Sequence, residues 1–290
     1  MRAKFFYGIA AMLLLVSCEK TFEMETNLEI GKSSEVFTAS VESGASTRTS
    51  LSGYTNGEGC YSLYWLKGDA ISISDGVSTA VYTTDDNYSS TAEFTKSEGS
   101  VSNTASQYTA FYPSTITVSN MVLPAIQNYV SDNVEYFPMR AISSNKNLAF
   151  KNLCGIIRFS LKSEESGQVS ISSISLFADK GMSGTFTVGE DNAAVVSGTD
   201  GVVVKCSDPK LLYANSATDF NIIVPQGDYN PLRVKICDAS GKEMNLVSEG
   251  TVPVRRSGIT RISLTLAKST FDTSLETIPI TDSDVNFTER

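Results

Sequence analysis

Apolar side chains occupy every second position in segment after segment of this chain: Phe37, Ala39 and Val41; Ile71 and Ile73; Ile116 and Val118; Ile174 and Leu176; Leu232, Val234 and Ile236; Ile262, Leu264 and Leu266. Successive side chains of an extended strand point to opposite faces, so a period of two sets one face on a core and turns the other to water. The runs are rich in β-branched and aromatic residues, which suit a pleated, half-buried surface. Turn residues punctuate them. Asp75-Gly76 separates Ile71-Ser72-Ile73 from Val77-Ser78-Thr79-Ala80-Val81, and Asp238-Ala239-Ser240-Gly241 closes a second hairpin. No sustained helical period occurs, and the nearest approach to one is a short turn near Asp208 to Ala214. Short strands at roughly 8–12-residue spacing predict an all-β sandwich or barrel.

The first eighteen residues follow another pattern. Arg2 and Lys4 form a short positive segment, Phe5 to Val16 an apolar one, and Leu15-Val16-Ser17-Cys18 brings small residues up to a cysteine. A helix across a bilayer needs about 20 apolar residues, so residues 1–17 are expected to be a cleaved secretory signal. Leu15-Val16-Ser17-Cys18 resembles the lipobox of bacterial lipoproteins, in which the cysteine thiol receives a diacylglyceryl group and becomes the mature N-terminus. Cys18 is therefore the expected lipidation site. Acyl chains, worth roughly 0.8 kcal/mol per buried methylene, are the expected attachment to membrane, since no later apolar run could span one.

Roughly 270 residues then remain, enough for two domains that each bury a core. The polar stretch Ser143 to Asn147 lies between strand-like regions, and Leu148 to Leu161 restarts a strongly apolar pattern. The expected organisation is a lipid-linked segment over residues 18–35, a first β-sandwich domain over 36–145, a second over 146–270 and an acidic tail over 271–290. The tail shows weak alternation at Ile278 and Ile280 and again at Val285 and Phe287, interrupted by Pro279.

Without Arg2 and Lys4 the chain carries 21 basic and 32 acidic residues, a net charge of −11. That charge repels nucleic acid and anionic lipid surfaces. The sequence contains no histidine, which removes Ser-His-Asp and Cys-His catalysis and the commonest metal ligand together. It holds no intact phosphate-binding loop, dinucleotide fingerprint, nucleophile elbow or calcium loop, and Gly241-Lys242 lacks the earlier glycine of a phosphate loop. Neither enzyme activity nor a cofactor or metal is expected. A converging carboxylate pair in a deep cleft would be the sign of an enzyme.

Cys60, Cys154, Cys206 and Cys237 are widely spaced, with no C-x-x-C pair to suggest zinc. Four cysteines allow three full pairings, which sequence cannot rank, and buried free thiols are the other reading. Trp65 could serve as a sugar-stacking platform, but in the strand-like run Tyr61 to Leu66 it reads as a core residue. Asp85-Asp86-Asn87 reads as a hydrated loop rather than a calcium site.

A succession of short landmarks runs in order along the chain. Thr47-Arg48-Thr49 is followed by Trp65-Leu66-Lys67-Gly68-Asp69, Leu123-Pro124-Ala125-Ile126-Gln127 and Pro138-Met139-Arg140-Ala141. The second half continues with Phe150 to Phe159, Gly184-Thr185-Phe186, Ile223-Val224-Pro225 and Ile259 to Leu264. Behind a lipobox, this order over Thr47 to Leu264 resembles the fimbrillin-like family, the type V pilus subunit lipoproteins of Gram-negative anaerobes.

The resemblance implies two tandem transthyretin-like β-sandwich domains and a surface fimbrium that supports adhesion and biofilm formation. It implies an outer-membrane lipoprotein precursor cut by an arginine-specific protease after its first strand, leaving a groove that a strand from another subunit fills. Residues 36–41 would be that strand, with Phe37, Ala39 and Val41 facing inward. Arg48 and Thr49 would flank the cut, within a small-residue segment suited to proteolysis. Ile278, Ile280, Val285 and Phe287 are the candidate anchors of a donor strand, and the weak alternation leaves room for a tip or accessory subunit. Partners would be other fimbrial subunits and a ligand on a host or bacterial surface. The competing expectation is a monomeric glycan-binding lipoprotein of a polysaccharide-uptake system, which needs exposed aromatic platforms.

Overall fold

A computed structural model describes residues 35–42, 64–135, 137–189, 193–272 and 277–288, and the alternating runs coincide with its strands at all but one place. Cys18, Arg48, Thr49 and Cys60 lie outside the described residues. In the first half follow β1 (Val36–Val41), β2 (Ala70–Ser74), β3 (Thr79–Thr83), β4 (Thr91–Glu98), β5 (Tyr108–Tyr112), β6 (Val122–Leu123), β7 (Ile126–Asn128), β8 (Met139–Ser143) and β9 (Asn147–Asn152). Seven of these close a barrel in the order β1-β4-β3-β2-β5-β8-β9, the ring being completed where β1 runs parallel to β9. Closure leaves none of the seven as a sheet edge.

Local chemistry fixes the β2–β3 hairpin. The Asp75 carboxylate accepts N–H bonds from Ser78 at 2.7 Å, Ser102 at 2.7 Å and Val77 at 2.9 Å. Those donors, Ser78 foremost, hold its carboxyl below the ordinary carboxylate value. Gly76 takes φ = 88°, a conformation that costs other residues strain.

The second half contains β10 (Cys154–Ser163), β11 (Ser170–Phe177), β12 (Ser183–Val188), β13 (Ala193–Thr199), β14 (Gly201–Leu211), β15 (Thr218–Pro225) and β16 (Gly227–Tyr229). After them come β17 (Arg233–Asp238), β18 (Glu243–Ser248), β19 (Val252–Val254), β20 (Ile259–Leu266), β21 (Thr277–Ile280) and β22 (Val285–Thr288), with a 3-10 turn at Lys268–Asp272. They build a six-stranded sheet β21-β18-β17-β11-β14-β7, a four-stranded sheet β15-β10-β20-β22, and smaller sheets β13-β12-β6 and β16-β19.

Two apolar cores result. One holds Phe37, Trp65, Tyr82, Phe94 and Phe150, the other Phe159, Phe220, Ile236, Leu246 and Ile262. β10 explains the apolar run noted above: Ile156 packs into the first core and Ile157 into the second, so both faces of one strand are covered. Both cores lie in one compact unit.

Two expectations need correction. Residues 208–211 are not a turn but the end of β14, where the β11–β14 pairing passes from Ser173↔Lys205 to Ile171↔Lys210. Asp208-Pro209 thus marks a β-bulge, a place where a residue without an N–H is tolerated. Ile116 and Val118 form no strand, and Val118 is 45% exposed. Ser144 to Lys146 join β8 to β9 inside the barrel, and the change from one core to the other falls later, within β10.

Candidate functional site: the slot filled by the first strand

β1 is held on both sides. It pairs antiparallel with β4, Phe37 opposite Phe94 and Ala39 opposite Ala92, and parallel with β9, Ala39 opposite Leu148 and Val41 opposite Phe150. Two further bonds secure its backbone, from Thr38 N–H to the Lys146 carbonyl at 2.9 Å and from Val41 N–H to the Ser90 carbonyl at 3.0 Å. Phe37, Ala39 and Val41 all point into the first core, as their spacing predicts. Phe37 meets the rings of Tyr82 and Tyr108 edge to face, each at 5.0 Å between centroids. Burying Phe37 and Val41 contributes about 1.5–3 kcal/mol apiece.

Trp65 is fully buried, and its indole N–H donates to the Ala39 carbonyl at 2.9 Å. It packs edge to face on Phe94, Tyr112 and Phe150. The core reading of this residue is what the structure shows. A buried ring offers no face to a sugar.

Each end of β1 carries a glutamate. Glu42, just past the strand, lies against the Arg256 guanidinium in a two-bond fork, Nη1 to Oε2 at 2.6 Å and Nη2 to Oε1 at 2.9 Å. The Ser257 hydroxyl adds a bond to Oε2 at 3.3 Å and receives one from the buried Asn152 amide at 3.0 Å. Arg256 Nη1 also donates to the Asn152 carbonyl at 3.3 Å. At the other end Glu35 Oε2 lies 3.2 Å from Lys96 Nζ. Its Oε1 and the Tyr82 hydroxyl are both buried. Burial first, then the Glu35 carboxylate, pushes the Tyr82 phenol above its ordinary value. Spacing along the sequence could not reveal the Glu42–Arg256 pair, whose members stand 214 residues apart. The available signal was an acid at each end of the alternating run and the Arg255-Arg256 doublet.

Of the tail positions, Ile278 and Ile280 lie in β21, which runs parallel to β18, and Val285 lies in β22, antiparallel to β20. Ile280 is fully buried in the second core, with Ile278 and Val285 packed against it. Phe287 stands opposite Thr260 in the same backbone ladder, and its side chain lies outside the described residues. Cys154, Cys206 and Cys237 are free thiols. Burial raises the Cys154 thiol, and raises Cys206 to about 11 against an opposing pull from Lys210. Asp85, Asp86 and Asn87 are used locally: Asp85 pairs with Lys67 at 3.2 Å, and Asp86 and Asn87 accept backbone N–H bonds from Glu93 and Lys67. Among the described residues no three His, Cys, Asp or Glu side chains converge as metal ligands.

No family model and no curated protein matches the chain. Among solved structures, it is similar to a "putative cell adhesion protein" from Bacteroides ovatus, with 12% identity over 87% of this chain and 95% of that one and a TM-score of 0.49. A second protein so described, from Bacteroides uniformis, shares 14% identity over 88% and 96% of the two chains, with a TM-score of 0.45. A fimbrial assembly protein from Parabacteroides distasonis shares 9% over 88% and 100%, with a TM-score of 0.34.

Proposed function

We propose that the chain is a structural subunit of a cell-surface fimbrium, in a tip or accessory position, whose first strand is removed and replaced by a strand from a neighbouring subunit. The observation that carries this reading is the position of β1, the strand that closes the barrel between β4 and β9. Its departure opens an apolar slot lined by Tyr82, Phe94, Tyr108 and Phe150, and exposes unpaired backbone groups on β4 and β9. Only an added strand with matching alternation satisfies both.

In this account the precursor is acylated on Cys18 and held at the outer membrane, and an arginine-specific protease cuts between Arg48 and Thr49, six residues beyond Glu42. One transthyretin-like unit surrounds each core. The candidate donor segments β21 and β22 are four-residue edge strands. Leaving their sheets costs each one ladder, and β21 also gives up the buried Ile280. The reading for this chain rests on its own first strand. The glycan-binding alternative loses its only tryptophan, because Trp65 is buried.

Treatment of the purified chain with an arginine-specific protease tests the reading. Loss of the fragment ending at Arg48, with conversion of monomer to multimers that Arg48→Ala blocks, is the expected result. A cut chain that keeps β1 and stays monomeric would contradict it.

A further inference from the structure

The two carboxylates that bracket β1 have a consequence for what can replace it. Lys96 lies on β4 and Arg256 in the β19–β20 turn, so both cationic groups stay with the body of the protein when β1 leaves. Glu35 and Glu42 are seven residues apart, about 23 Å of extended chain at ~3.3 Å per residue. Between them, Phe37, Ala39 and Val41 fill the apolar slot.

We propose that Lys96 at one end and Arg256 with Ser257 at the other form a two-ended carboxylate reader, and that the strand filling the slot in the assembled form carries an acidic residue at each end of an alternating apolar core. This deepens the strand-replacement reading and rests on it.

Three observations support the assignment. The Arg256 site is built before any partner arrives: Asn152, itself fully buried, donates to the Ser257 hydroxyl at 3.0 Å, and its carbonyl accepts from the guanidinium at 3.3 Å. Gln226 Oε1 accepts the Arg256 backbone N–H at 3.0 Å and holds the turn. A two-bond fork on a carboxylate is directional in a way that a lone ammonium is not, so it fixes position along the strand as well as charge. Finally, register in a slot with one buried face is unforgiving. A one-residue slip turns Phe37, Ala39 and Val41 outward, and a two-residue slip keeps the faces but moves both acids off their cations.

The ends are unequal. Glu42 receives three bonds, whereas Glu35 makes one 3.2 Å contact with a partly exposed lysine. Register is therefore set mainly at Arg256. The chain's own tail reads poorly here: Ile280-Thr281-Asp282 and Phe287-Thr288-Glu289 place the acid two residues past the last apolar side chain, where Val41-Glu42 places it one past. The slot selects a strand from a different subunit over a second copy of this tail.

The test uses the full chain nicked after Arg48. Labelled peptides of residues 35–42 are added as the wild-type sequence, as Glu42→Gln, as Glu35→Gln and as Glu42→Lys, and their dissociation is timed. Dissociation about tenfold faster for Glu42→Gln, with a smaller effect for Glu35→Gln, is expected, because losing one partner of a hydrogen-bonded charge pair acts on the off-rate. On Arg256→Glu protein the Glu42→Lys peptide should outlast the wild-type one. Equal dissociation of all four peptides from the unaltered protein overturns the reader while leaving strand replacement intact. Binding of none of them overturns strand replacement, and the reader with it.

Discussion

Trp65 donates its indole N–H to the main-chain carbonyl of Ala39, at 2.9 Å, in the middle of the strand that closes the first barrel. The single tryptophan of the chain thus fastens β1 to its core by a polar bond as well as by packing. Trp65→Phe removes the donor and some volume, leaving a buried carbonyl with one fewer partner. We expect a loss of about 2–4 kcal/mol in urea denaturation. Hydrogen exchange at Thr38 and Val41 should quicken more than at β10.

Gly155 lies where β10 passes the β19–β20 turn. A Cβ there would meet the carbonyl of Arg255 and the Cγ1 of Val254 in severe overlap. Gly155→Ala should displace the turn that presents Arg256, costing about 1–3 kcal/mol as overpacking does. A double-mutant cycle with Glu42→Gln checks this: the glutamate substitution should matter less once the turn has moved.

Much of the fold was legible because its signal is local. Phe37, Ala39 and Val41 each face the core as their period requires, and Asp75-Gly76 and Asp238 to Gly241 close the hairpins they announce. Ile116 and Val118 show the same period without a strand, since two apolar residues are too few to fix one. Asp208 to Ala214 read as a short turn, yet its first residues end β14 at a bulge, because a bulge and a turn draw on the same residue types. The site was legible only in part. β1 could be named from its alternation, but its clamp joins Glu42 to a residue 214 positions away, a contact that exists only once the chain has folded.

The Asp75 carboxyl titrates below its ordinary value of 3.8 because backbone N–H groups of Ser78, Ser102 and Val77 favour its charged form. A group whose folded value is depressed contributes stability above its unfolded value, and that contribution is lost as pH falls through the folded one. Urea midpoints for the unaltered chain and for Asp75→Asn should therefore differ at pH 7 and draw together as pH falls below about 4.

Burial keeps the Cys154 and Cys206 thiols in their protonated, unreactive form near neutral pH. Cys154 is fully buried, and Cys206 titrates at about 11. At pH 8 iodoacetamide should leave Cys154 untouched in the folded chain and label Cys206 slowly, with both reacting in urea. Peptide mass mapping reads the result.

The most direct test of strand replacement is the N-terminal residue and intact mass of the native protein, recovered separately from sheared surface filaments and from washed outer membrane. The account predicts a filament form that begins at Thr49 and lacks β1, with the acylated form that begins at Cys18 confined to membrane. Recovery of the acylated form alone, absent from every filament preparation, would contradict it.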